Sequence, residues 1–126
     1  MSAQTGQMQV ATKLVKATDF RKGAYLPNLE QQAILQLAGI EPLDRGDPDS
    51  PGMWGTWVPD PRSGKDPEPI EFSYYRSLRK PAKDREPEPR IGRKVTARIE
   101  VGKYLHMAWN GSSVLFYLRD SPTGPA

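Results

Sequence analysis

The chain contains no cysteine and, among its 126 residues, a single histidine, His106. Without cysteine there is no disulfide framework, no thiolate metal site and no cysteine nucleophile, and one histidine leaves most metal and acyl-transfer constellations without their parts. No window approaches the roughly 18 consecutive apolar residues of a membrane helix, and the N-terminus lacks the charged, apolar and small-residue succession of a signal peptide. Membrane and secretory roles are not expected, and a cytoplasmic location is. Apolar residues make up 37%, short of the roughly 45–50% of an ordinary globular domain, while 13 prolines and 11 glycines supply nearly a fifth of the chain. The expectation is one domain over 1–126 with a small core and long loops, ending in a flexible tail at 120–126.

Net charge is only +3, but the charge is unevenly spread. Residues 1–74 carry seven Lys/Arg against ten Asp/Glu, residues 75–103 carry ten against four, and residues 104–126 carry one of each. A basic segment without an amphipathic basic helix suggests an anionic partner, nucleic acid before membrane; a solvated linker explains the charge alone equally well.

Met8, Val10, Thr12 and Leu14 alternate, which predicts a strand over Met8–Lys16 with Lys13 on the opposite face. Asn28, with Gln31 three residues later and Gly39 at the end, frames a helix Leu29–Ala38. The proline-rich stretch from Glu41 to Pro69 leaves room for a short strand at Met53–Val58, where Trp54 and Trp57 are expected to anchor the loop to the core. Ile70–Leu78 alternates as a half-buried strand with Tyr75 on its polar side. Pro81, Pro87 and Pro89 then make Arg79–Lys94 an extended arm that projects its charges.

Val95–Val101, Leu105–Trp109 and Ser112–Arg119 read as strands. Asn110-Gly111 marks a tight hairpin that pairs Trp109 with Ser112, and a three-residue loop, Gly102–Tyr104, puts Val95, Ala97, Ile99 and Val101 on the core face. His106 falls on the outer sheet surface. The fold class expected is mainly β: an open pseudobarrel of about six to seven mostly antiparallel strands with one or two short helices.

Catalysis by this chain alone is not expected. Pro59-Asp60 with Glu100-Val101-Gly102-Lys103 is a poor version of the carboxylate-and-lysine pattern of Mg²⁺ nucleases, because a strand puts Glu100 and Lys103 on opposite faces. Pro59-Asp60 is more simply a turn. There is no Walker-type phosphate loop, and Asp44, Asp47 and Asp49 lack the glycine and terminal glutamate of a calcium loop. No cofactor or metal is expected. The basic arm suits DNA better: arginine reads guanine bidentately and lysine attracts phosphate, whereas surface ion pairs are the plain alternative.

Four stretches carry a resemblance across most of the chain. They are Ala17-Thr18-Asp19 with Gly23-Ala24-Tyr25-Leu26-Pro27; Pro51 with Thr56 and Val58; Tyr74-Tyr75 followed by Lys83-x-Arg85, Glu88 and Arg90-Ile91; and Gly102 with Ala108-Trp109 and Val114–Leu118. In order and spacing the sequence resembles the N-terminal DNA-recognition domain of EcoRII-type restriction endonucleases. The resemblance implies a plant B-three-like pseudobarrel that grips duplex DNA in the major groove between two arms and serves a separate catalytic nuclease domain. Where that family has a longer Asp-Thr-Gly…Gly-His-Gln segment, this chain has Phe20-Arg21-Lys22.

The function expected is sequence-specific duplex-DNA binding. Arg85 and Arg90 would read bases, Glu88 would accept from a base or position an arginine, and Lys16, Arg21, Lys22, Lys80 and Lys83 would contact the backbone. Thr18 and Asp19 of the N-terminal arm, and Tyr75, Arg76 and Arg79 at the root of the C-terminal arm, complete the set. Two other classes stay open. One is a single-strand binder that stacks bases on Tyr75, Tyr117 and Arg98; the other is a small protein-binding inhibitor or adaptor.

Overall fold

A computed structural model of the chain describes residues 9–21, 23–43, 52–76 and 89–123. Its strands are β1 (Gln9–Leu14), β2 (Phe20–Arg21), β3 (Ala24–Tyr25), β4 (Met53–Val58), β5 (Glu68–Arg76), β6 (Pro89–Gly92), β7 (Tyr104–Trp109) and β8 (Val114–Arg119); the helices are α1 (Leu29–Leu37) and α2 (Lys94–Arg98). The strands form one curled sheet in the order β1-β7-β8-β4-β5-β6-β3-β2. Every neighbouring pair is antiparallel except β4 and β8. The mainly β, mostly antiparallel open pseudobarrel with two short helices is therefore the architecture, with the very short β2 and β3 raising the strand number.

The concave face holds the core. Ile70, Phe72 and Tyr74 of β5, Ile91 of β6, Leu105 and Met107 of β7, and Val114 and Phe116 of β8 meet Ile34 and Leu35 of α1 there. Phe72 and Phe116 cross edge to face, with ring centroids 5.3 Å apart. Helix α1 starts where the capping box predicts: the Asn28 side chain accepts from the Gln31 amide at 2.8 Å and the Gln31 side chain accepts from the Asn28 amide at 3.2 Å. It ends at Gly39, whose φ of +78° is left-handed backbone.

Several sequence expectations are corrected. In β1 the inward residue is Ala11, followed past the strand end by Val15, both buried, while Val10 and Leu14 are partly exposed; the phase is inverted because Ala11 is the residue paired across from Met107. Val95–Val101 is not a strand. Arg93, at φ +67°, turns the chain off β6, and α2 follows; Val95 and Ile99, one helical turn apart, are buried, whereas Ala97 and Val101 face solvent. The Thr96 hydroxyl fastens this turn by donating to the Ile91 carbonyl at 2.8 Å. The place beside β7 expected for that segment is taken by β1.

The last hairpin exists, but its loop is longer than two residues: Trp109 pairs with Val114, and the Asn110 side chain accepts from the amides of Ser112 and Ser113, each at 2.8 Å. Every residue keeps its expected face, because the shift is an even number of residues. Trp57 is buried as expected, but Trp54, pointing to the other side of β4, is 64% exposed. His106 does lie on the outer face, yet it is fully buried there. Its Nδ1 is 2.7 Å from the Thr12 hydroxyl and its Nε2 3.1 Å from the Ser121 carbonyl.

Candidate nucleic-acid interface

Strand β5 alternates strictly at its end, so the two consecutive tyrosines part company. Tyr74 turns into the core and Tyr75 out of it. Strand β6 lies antiparallel beside it with Ser73 across from Gly92, Tyr74 from Ile91, Tyr75 from Arg90 and Arg76 from Pro89. Residues directly opposite share a face, so Tyr75 and Arg90 stand together on the outer surface, and Arg76 projects with Tyr74 to the opposite side. Gly92 leaves room for the tyrosine: a Cβ there would sit 3.4 Å from the Tyr75 ring and 2.8 Å from the Ser73 hydroxyl.

This end of β5 is tied on both edges. Beyond β4, Leu43 takes up pairing with β5, accepting from the Arg76 amide at 2.7 Å and donating to the Tyr74 carbonyl at 3.1 Å. On the other edge β6 also pairs with β3, Ile91 facing Tyr25. Together these pairings make the β5–β6 end a rim of the sheet. Upon it, the Nε atoms of Arg76 and Arg90 are shielded from solvent and have no hydrogen-bond partner, and no ion pair engages either guanidinium among the described residues. An Nε closed to water is closed to an outside acceptor as well, so external contacts fall to the terminal guanidinium nitrogens.

The C-terminal arm proves shorter than expected, because Pro89–Gly92 is strand rather than projecting chain. Arg79, Lys80, Lys83, Arg85 and Glu88 lie outside the described residues, as does Lys22. In the sequence residues 77–88 connect Arg76 to Pro89, which are paired partners, so that basic connection begins and ends at the rim.

On the N-terminal side the expected residues divide. Lys16 and Thr18 are exposed around a 3₁₀ turn at Ala17–Asp19. Asp19 is turned inward instead: one carboxylate oxygen accepts from the Lys16 amide at 2.8 Å and the other from Lys13 Nζ at 2.7 Å. It shapes the turn rather than facing a ligand. Phe20 pairs with Tyr25 and Leu26 donates to the Asp19 carbonyl at the start of β2, while Val15 donates to the Lys103 carbonyl and accepts from the Gly102 amide just before β7, so the Lys16–Asp19 turn joins the two edge strands of the curled sheet. Arg21, across from Ala24, begins the β2–β3 turn at the other end of β2, toward Gly92 and Arg93.

The single-strand platform of Tyr75, Tyr117 and Arg98 is not assembled. Tyr117 is buried in an outer cluster with Ala108 and Leu115, with the Arg119 guanidinium 5.3 Å over its ring. Arg98 lies 5.5 Å over the Trp57 ring and pairs with Glu68. Asp60, Glu100 and Lys103 border one cleft of about 390 Å³, each already engaged. Asp60 grips Arg62 through two side-chain contacts, at 2.8 and 3.1 Å, which hold its carboxyl well below the usual range; Glu100 pairs with Lys103 at 3.5 Å. Among the described residues no three acidic or histidine side chains come together to hold a metal ion.

Sequence reasoning missed the part played by Gly92 and the groove behind the rim. The phase of β5, with Tyr74 and Arg76 together on the face away from Tyr75, was the available signal. No protein-family model matches the chain, and no curated protein matches it. No helix among the described residues is long and apolar enough to cross a membrane.

Proposed function

We propose that the chain is a non-catalytic recognition domain that binds duplex DNA sequence-specifically through the major groove and serves a restriction endonuclease in the cytoplasm, working beside a separate catalytic domain. The observation that carries this reading is the β5–β6 rim. There Arg90, with no ion pair among the described residues, stands beside Tyr75 on a two-strand end whose strands residues 77–88 connect, a segment that carries Arg79, Lys80, Lys83 and Arg85. A two-stranded ribbon fits the major groove, and arginine is the side chain best suited to guanine. Lys16 and Thr18, exposed in the turn that joins the two edge strands, supply backbone contacts.

Residues 77–88 bring Arg85 as a second base reader, Glu88 as its acceptor or positioner, and Lys80 and Lys83 as phosphate contacts. Selection from a randomised duplex library tests the reading. A short enriched motif is expected; enrichment of nothing, or of single strands over every duplex, overturns it.

A further inference from the structure

A groove of about 410 Å³ opens at the mouth of the barrel between α1 and the inner side of the β5–β6 rim. That volume falls within the roughly 300–1,000 Å³ of small-ligand sites, which favour barrel mouths and combine apolar walls with a few convergent polar groups. Leu29, Ala33, Ile40, Pro42 and Pro89 form the walls. Leu29, in the first turn of α1, is 81% exposed.

Two donors converge from β5. Arg76 has its Nε shut off from water with no acceptor, and the Tyr74 hydroxyl makes no hydrogen bond among the described residues. Burial pushes the Tyr74 phenol up from its ordinary value, only partly offset by the Arg76 charge, so it is a proton donor at neutral pH. An Nε closed to water is closed to a ligand oxygen as well, which leaves the terminal guanidinium nitrogens of Arg76 and the Tyr74 hydroxyl as the donors that line the groove. Among the described lining residues the charged side chains are Arg76 and the exposed Glu41.

The geometry points to a binding site for a small monocarboxylate with an apolar body, its carboxylate held by the Arg76 guanidinium and the Tyr74 hydroxyl and its body laid along α1. One guanidinium forks onto a carboxylate through two parallel N–H groups. Because Arg76 projects away from Tyr75 and Arg90, this site is separate from the face assigned to DNA and does not rest on that assignment.

Titrating 4-phenylbutyrate and its neutral amide into the full chain, followed by amide chemical shifts, tests it. The carboxylate should shift Leu29, Ala33, Ile40, Tyr74 and Arg76 saturably, and the amide should bind on the order of tenfold or more weakly, as loss of a charge-assisted bond requires. Arg76→Gln should erase that preference while leaving the remaining spectrum in place, and Tyr74→Phe should reduce it. Absence of saturable shifts into the millimolar range, equal binding of acid and amide, or an Arg76→Gln variant that binds like the parent each overturns the proposal.

Discussion

Gln31 gathers more of the fold than any other polar side chain. Its carboxamide oxygen accepts from the Tyr25 hydroxyl at 2.8 Å as well as from the Asn28 amide, and its Nε2 donates to the Leu105 carbonyl at 3.0 Å, so α1, β3 and β7 meet at one buried group. Gln31→Leu keeps the bulk and leaves three partners unmatched; it should cost about 2–3 kcal/mol in denaturant unfolding, and a loss below about 0.5 kcal/mol would contradict this role. The capping half of that arrangement was legible in the sequence because it is local, Asn28 to Gln31. The reach to Tyr25 and Leu105 was not, since only the folded sheet brings β7 under the helix.

His106 is a second case. A carbonyl only accepts, so Nε2 carries the proton toward Ser121 and Nδ1 accepts from the Thr12 hydroxyl. Burial, with the Arg119 charge adding to it, holds the imidazole below its ordinary value of 6.5, against the raising effect of the Ser121 carbonyl. The unfolded chain then binds a proton at a pH where the folded chain does not, so stability is full above about 6.5 and falls as pH drops below it. Unfolding measured across that range should show this decline in the parent and a flatter profile in His106→Gln; identical profiles would contradict it.

At the scale of elements, strands were legible where alternation marked a half-buried run, as in β5, or where prolines bounded a short one, as in β4. They were misread where one pattern satisfied two periods. Val95 and Ile99 are four apart, which suits one face of a helix as well as one face of a strand, and what decides between them is the left-handed turn at Arg93 and the Thr96 bond to Ile91. In β1 the alternation was visible but its phase was not, because alanine at the inward position gives less signal than the valine and leucine outside.

Strand β4 carries its own test. A Cβ on Gly55 would lie 2.8 Å from both the Phe116 ring and the Val114 carbonyl oxygen, and that carbonyl belongs to backbone. Gly55→Ala should therefore destabilise by about 1–3 kcal/mol, seen as a lower denaturant midpoint; an unchanged midpoint would contradict the close packing of β4 on β8.

For the molecule as a whole, the basic segment 75–103, ten Lys/Arg against four Asp/Glu, contains the outer ends of the β5–β6 pair. Lys16 and Thr18 lie exposed in the turn that joins the sheet's two edge strands. The candidate site was legible in part: Tyr75 and Arg90 could be named from the sequence, but their pairing across two strands needed β6, which its prolines disguised as an arm. Asp19 could not be told from a ligand contact, because its partners Lys13 and the Lys16 amide are fixed by a turn that sequence alone does not show.

The account's central claim is specific reading of duplex DNA by this rim. Its most direct test is the affinity of the parent chain and Arg90→Ala for a selected duplex and a scrambled one, each at two salt concentrations. The account predicts that the parent prefers the selected duplex by at least about 10³-fold and that both affinities fall with salt. It also predicts that Arg90→Ala loses on the order of 1–3 kcal/mol on the selected duplex and far less on the scrambled one. Equal affinity of the parent for both duplexes, or an equal loss on both in Arg90→Ala, would contradict it.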